Sequence, residues 1–262
     1  MRTGSRPVGS RAYGFYALFA KEVVRFLKVT VQTVLTPVVT ALLYLLVFGQ
    51  ALEAHVEVYE GVSYSAFLIP GLMMMSIIQN AFANSSSSLI QSKMMGNLVF
   101  VLLSPISSFE FYAAFTLAAV VRGVLVALAV YLVAIMFIDL PLAVPWAIVV
   151  FAILGSAILG ALGLVAGIWA EKFDQLSAFQ NFFILPLSFL SGVFYSIESL
   201  PGAWQTASLF NPFFYLIDGF RYGFFGVADA DVGVSVLVSL GFLLLISIVA
   251  MVMLHKGYKI RS

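Results

Sequence analysis

The chain has 262 residues, 62% of them hydrophobic and only 10% charged, with a net charge of +1. Soluble domains carry about 25% charged residues, so this composition excludes a water-soluble globule and makes lipid the solvent for much of the surface. The absence of cysteine excludes disulfide, thiolate-metal and redox-pair chemistry, and the only histidines, His55 and His255, stand too far apart to share a metal.

Residues 11–28 read as an amphipathic helix. Lys21, Arg25 and Lys28 fall on one face, and Phe15, Phe19, Val23, Phe26 and Leu27 on the opposite one. That pattern suits a helix lying in the headgroup plane; a simple cytosolic extension of the first span is the alternative. The apolar run at 29–49 exceeds the roughly 7–15 residues of a signal core, so it is read as a retained span. Six segments then meet the length of about 20 residues that a hydrocarbon core requires: 31–50, 64–84, 111–138, 144–169, 176–197 and 233–254. The polar run from Asn84 to Ser88 closes the second, its serines bonding back to helix carbonyls. Trp146 and Trp169 frame the fourth, about 35 Å apart at 1.5 Å per residue, as interfacial anchors should be. The expected architecture is all-α and polytopic, one domain over 1–262: a segment at 1–28, a bundle at 31–254 and a tail at 255–262.

Orientation follows from the basic residues. With both termini inside, every Lys and Arg except Arg122 and Arg221 is cytoplasmic, while Glu53, Glu57, Glu60, Asp139, Glu198, Asp229 and Asp231 lie outside. This is a positive-inside distribution.

The chain contains no phosphate-binding G-x-x-x-x-G-K-[ST] loop, no H-E-x-x-H and no Ser, His and Asp set placed to activate a nucleophile. Among the spans the firm charge is Arg122, with no acid at matching depth, so an intramembrane proton relay is not evident. An arginine facing lipid there costs at least about 2.5–3.5 kcal/mol; it must face the bundle interior, a subunit interface or water. It either lines a path that meets polar or anionic cargo, or is a structural arginine satisfied by carbonyls or by Gln79 and Asn80. The loop between the second and third spans holds Lys93-Met94-Met95-Gly96-Asn97, then Leu98-Val99-Phe100-Val101-Leu102-Leu103, then Ser104-Pro105. It is strongly apolar for a solvated connection, which marks a docking surface or an interfacial helix resting on lipid. The stretch 179–226 breaks at Ser191-Gly192 and Pro201-Gly202 and closes on Asn211-Pro212, Tyr215, Asp218, Arg221 and Tyr222. Non-helical backbone at membrane depth survives only against protein or beside a water-filled cavity, so this stretch is read as short segments that dip back and cap a pathway. Asp218 and Arg221, three apart, share a helix face and are expected to pair.

These residues carry a resemblance. Six spans, an amphipathic start, a loop ending Leu-Leu-Ser-Pro-Ile-Ser and the pattern N-P-x-x-Y-x-x-D-x-x-R-Y at 211–222 resemble the ABC-2 family of export permeases, over nearly the whole chain. The resemblance implies a homodimeric permease in the bacterial inner membrane, bound to lipid and not to nucleic acid, paired with separate nucleotide-binding subunits that hold ATP and Mg. The permease itself would bind no cofactor and catalyse nothing. Residues 93–103, with Lys93, Met94, Met95, Gly96, Asn97, Leu98, Phe100 and Pro105 in and beside them, would couple to the ATPase. Residues 198–226 would form outer re-entrant helices. One departure is that 98–103 is wholly apolar where relatives often keep charges. An ion-coupled secondary transporter and a non-transporting assembly scaffold are the rival classes.

Overall fold

The computed structural model describes residues 8–49 and 58–259. Glu53, His55, Glu57 and the terminal Arg2, Arg6 and Arg261 lie outside the described residues. Within them the chain is helical, with a lone antiparallel bridge between Tyr59 and Val62.

Helix α1 (Val8–Leu27) is followed, after a break at 28–29, by α2 (Thr30–Tyr44), which runs on through a wider π turn at Leu45–Gly49. Then come α3 (Tyr64–Met94), the short α4 (Leu98–Leu103), α5 (Ser108–Ala134) and α6 (Pro145–Trp169). Helix α7 (Phe173–Phe179), a π turn at Gln180–Ile184 and α8 (Leu185–Phe189) join into one rod, and α9 (Gly202–Leu209), α10 (Pro212–Phe225) and α11 (Val232–Lys256) complete the chain.

Among the described residues, five helices are long and apolar enough to cross a membrane: Thr30–Gly49, α3, α5, α6 and α11. They match five of the six expected spans. The segment expected at 176–197 differs: its rod ends at Phe189, about 25 Å from Phe173 at 1.5 Å per residue, short of a hydrocarbon core of about 30 Å. The chain turns at Gly192, whose φ of +75° suits glycine. The second span differs the other way. Helix α3 does not stop at Asn84 but continues to Met94. The hydroxyls of Ser86 and Ser87 do donate back to the carbonyls of Phe82 and Ala83. Satisfied in this way, they are carried inside the helix and do not end it.

The centre of the molecule is the trio α3, α5 and α6, which pack on one another more extensively than any other elements. Small residues allow it. A Cβ added at Gly163 of α6 would strike the Phe82 carbonyl of α3, and one at Gly123 of α5 would strike Ser156 of α6. Close approach through glycine is how helices pack where lipid removes the hydrophobic drive between them. Helix α10 uses the same device, setting Gly219 and Gly223 against Phe151 and Ile148 of α6. By contrast, α2 and α11 bury little, leaving Val31, Leu35 and Leu43 on the first and Leu237, Leu244 and Ile248 on the second exposed.

Helix alternation gives the bundle a basic end, with Lys93, Lys172, Lys256 and Lys259, and an acidic end, with Asp139, Glu198, Asp229 and Asp231. The amphipathic α1 packs its Phe15, Leu18, Phe19 face on α5 and the neighbouring core at the basic end. Its polar face departs from expectation, because Arg25 turns inward instead of out toward lipid.

Candidate functional site

Three groups of residues at different levels of the bundle could carry function. At the basic end, α3 gives way to a turn at Gly96, whose φ is +71°, and then to α4. Leu98 is buried in a cluster with Leu89, Phe111, Phe115 and Leu164, and Val101 packs on the same cluster. The other face of α4 points away from the bundle: Phe100 is 73% and Leu103 78% exposed, with Met94, Met95 and Val99 beside them. The loop is anchored, not loose. The Lys93 ammonium donates to the carbonyls of Ile168 at 2.8 Å and Ala170 at 2.7 Å, tying the end of α3 to the end of α6. Asn97 takes the N-cap position without a side-chain bond. Past Pro105, Ser107 and Glu110 form a reciprocal capping box that starts α5. The result is a fixed apolar knuckle.

One level in lies a cavity of about 360 Å³ between α2, α3 and α5. Gln32, Thr36, Thr40 and Tyr44, four apart along α2, share the face that lines it, opposite Ser76, Gln79 and Asn80 of α3. Arg122 enters from α5. Its Nη2 donates to Asn80 Oδ1 at 2.9 Å, while its buried Nε has no partner. Asn80 satisfies part of this arginine, as the structural reading expects, and the side chain also lines the polar cavity. Arg25 of α1 is the second guanidinium in the lining. It donates to the Asn84 carbonyl at 2.7 Å, to Asn84 Oδ1 at 3.0 Å and to Glu22 at 3.2 Å.

At the acidic end the motif at 211–222 acts as a clamp. Asn211 caps α10 by accepting from Phe213 N–H and donates through Nδ2 to the Leu187 carbonyl at 2.7 Å and to Ser191 Oγ at 2.8 Å. Pro212 occupies the first helical position, where its missing N–H costs nothing. The Tyr215 hydroxyl donates to the Leu209 carbonyl, and Tyr222 packs half-buried on the core. Asp218 and Arg221 do not form the expected pair. The Asp218 carboxylate accepts from the backbone N–H groups of Asp229 at 2.8 Å and Ala230 at 3.0 Å. Arg221 donates to the Gly192 carbonyl at 2.8 Å and lies 3.7 Å above the Phe67 ring centre. Each charge finds backbone dipoles on a different loop, and those contacts replace the pair.

Two clamp residues carry no sequence signal of their own. Asp229 accepts from Tyr59 Oη at 2.8 Å, Ser196 Oγ at 2.7 Å and Ile197 N–H at 2.8 Å, gathering two other loops on its carboxylate. Burial pushes the Tyr59 phenol above its ordinary range, so it remains the donor. The helical pattern sets Arg25 on the cationic face toward lipid, although Glu22 three residues before it and the period-four polar stripe on α2 are both signals of an inward role. Among the described residues, no cluster of three His, Cys, Asp or Glu is arranged to hold a metal ion.

Residues 13–225, from α1 through α10, match the family model described as ABC-2 type transporter. The chain is similar, at 35% identity over 94% of its length and 96% of the relative's, to the inner membrane transport permease YadH of Escherichia coli (strain K12). It is 26% identical to nodulation protein J of Rhizobium leguminosarum bv. viciae over 88% of this chain and 89% of the relative. To nodulation protein J of Rhizobium meliloti (strain 1021) it is 25% identical over 87% of each.

Proposed function

The chain belongs to the ABC-2 type transporter family, and on that footing we propose that it is the membrane-spanning subunit of an ATP-driven exporter. It would move a polar, lipid-linked or drug-like substrate outward across the bacterial inner membrane, with ATP and Mg held in a separate nucleotide-binding subunit. Both termini face the cytoplasm in this reading, which puts the basic end inside. The rod at 173–189 and the turn after it make the fifth crossing. Helices α9 and α10 are the re-entrant pair that caps the outer end. Two copies associate, covering the apolar faces that α2 and α11 leave open.

The observation that carries the proposal is the knuckle at α4. Its Phe100 and Leu103 stand in solvent on a helix whose opposite face is sunk in the core. The Lys93 clip ties the adjoining end of α3 to α6, whose length crosses the bundle. A motor subunit that grips these apolar side chains therefore pushes on the whole bundle, and a docking residue of this kind is worth about 2 kcal/mol or more.

The test is the double variant Phe100→Asp with Leu103→Asp, expressed with its native partner genes. The expected outcome is a loss of about thirtyfold or more in co-purification of the nucleotide-binding subunit, with ATP-dependent flux falling alongside. The thermal midpoint of the permease alone should be unchanged, because both side chains are exposed. Undiminished co-purification and flux would overturn the proposal.

A further inference from the structure

We infer that the cleft between α2 and α3 binds an oxyanion carried on a hydrogen-bonding head group, which makes the cargo of the proposed exporter an anionic, polar-headed molecule. The substrate assignment rests on the exporter reading; the site does not.

The argument begins with charge. Arg25 and Arg122 both line the cavity, and none of its lining residues is acidic among those described. The one neighbouring carboxylate, Glu22, already pairs with Arg25 and Lys21. Arg122 has no such counterion. Its hydrogen bond goes to a neutral amide oxygen, its Nε has no partner, and the other charged side chain in the lining is the like-charged Arg25. A partly buried guanidinium with no counterion keeps an unneutralised field in the cleft, and an arriving anion pairs with it. The guanidinium fork matches the paired oxygens of a phosphate or carboxylate.

The walls add the head group. Gln32, Thr36 and Thr40 on α2 and Gln79 on α3 offer neutral donors and acceptors around the two arginines. A purely apolar ligand would leave them all unpaired, and a cation would be repelled. Leu72 and Met75 flank the polar groups, so a head group on an acyl chain and a free anion both fit, and the experiment separates them.

The natural absence of cysteine gives a clean reporter. In the full chain in detergent, Thr36→Cys is labelled with anionic and cationic methanethiosulfonates of similar size. Focused positive potential should make the anionic reagent faster by about tenfold or more, relative to the ratio at Leu35→Cys, which lies on α2 outside the cavity lining. Arg122→Gln should abolish the preference and Arg122→Lys should retain most of it. Dihexanoyl phosphatidylglycerol or inorganic phosphate should slow labelling, and dihexanoyl phosphatidylcholine should not. Protection by the lipid alone identifies a tailed anion, and protection by phosphate alone a free one. Equal rates for the two reagents, indifference to Arg122→Gln, or equal protection by the zwitterionic lipid would each overturn the site. Because labelling needs neither ATPase nor flux, its result stands apart from any failure of the exporter reading.

Discussion

Arg221 is among the largest side chains that the fold buries completely. It holds that place because Gly71 of α3 leaves room: a Cβ there would come within 2.7 Å of the Val193 carbonyl and 3.1 Å of Arg221 Nη2. The planar group both stacks on Phe67 and donates to the turn at Gly192, and a lysine ammonium cannot do both. Arg221→Lys should therefore cost about 1.5–3 kcal/mol and expose the 190–197 turn, read as a lower thermal midpoint and faster protease cleavage there. Unchanged cleavage would mean the clamp is held elsewhere. The spacing of Asp218 and Arg221 correctly put them on one helix face. It could not say that loops at 192 and 229 would reach them first, because those partners lie 29 and 11 residues away in sequence. Arg122 was legible for a simpler reason: a cation in an apolar run must find a polar neighbour, and Asn80 was among the few available.

At the scale of elements, long apolar segments announced themselves, and α2, α3, α5, α6 and α11 fall where hydropathy places them. The ends did not. Helix α3 overran its polar run because its serines bond within their own turn, and the fifth segment fell short because Gly192 bends the chain. Helix contacts were likewise invisible until glycines could be matched across helices. Gly163 faces the Phe82 backbone, which cannot yield as a flexible side chain would. Gly163→Leu should force α3 and α6 apart at a cost of about 1–3 kcal/mol or more, measured as loss of monodisperse protein after extraction. Gly202, with open space around it, should accept alanine without that loss.

The tail after α11 is tied to the α6–α7 junction by one ion pair, Lys259 Nζ to Glu171 Oε1 at 2.7 Å. The hydrogen bond and charge of Lys259 hold the Glu171 carboxyl below its ordinary range, and Glu171 holds the Lys259 ammonium above its own. The carboxylate's share of the docking is present above the ordinary carboxylate pKa and is lost as pH falls through the lowered value. The ammonium's share is lost only as pH rises through the raised one. Tail mobility, followed by a spin label at Tyr258→Cys, should stay low between these limits and rise beyond them at both ends. Glu171→Gln should remove the acid limb.

For the whole molecule, the division of labour is between a glycine-packed centre and two thinly buried flanks. Deleting the Lys93 clip by Lys93→Met should loosen the centre at its basic end by about 1.5–3 kcal/mol. In the proposed exporter, ATP hydrolysis by the partner motor should then continue with less flux, since push and bundle are no longer rigidly joined; equal losses of both would contradict that division. The length of α3 has one more outcome. Its 31 residues measure about 46 Å at 1.5 Å per residue, against about 30 Å of oil in a bilayer. The apolar stretch at 64–83 fills that thickness alone, so the rest of the rod stands proud of it. In the proposed orientation, Asn80 and Asn84, which hold Arg122 and Arg25, would straddle the oil's inner edge. Under the proposed orientation and binding site, a molecule hailing from the inner leaflet would sink its head by only about one helical turn to be recognised.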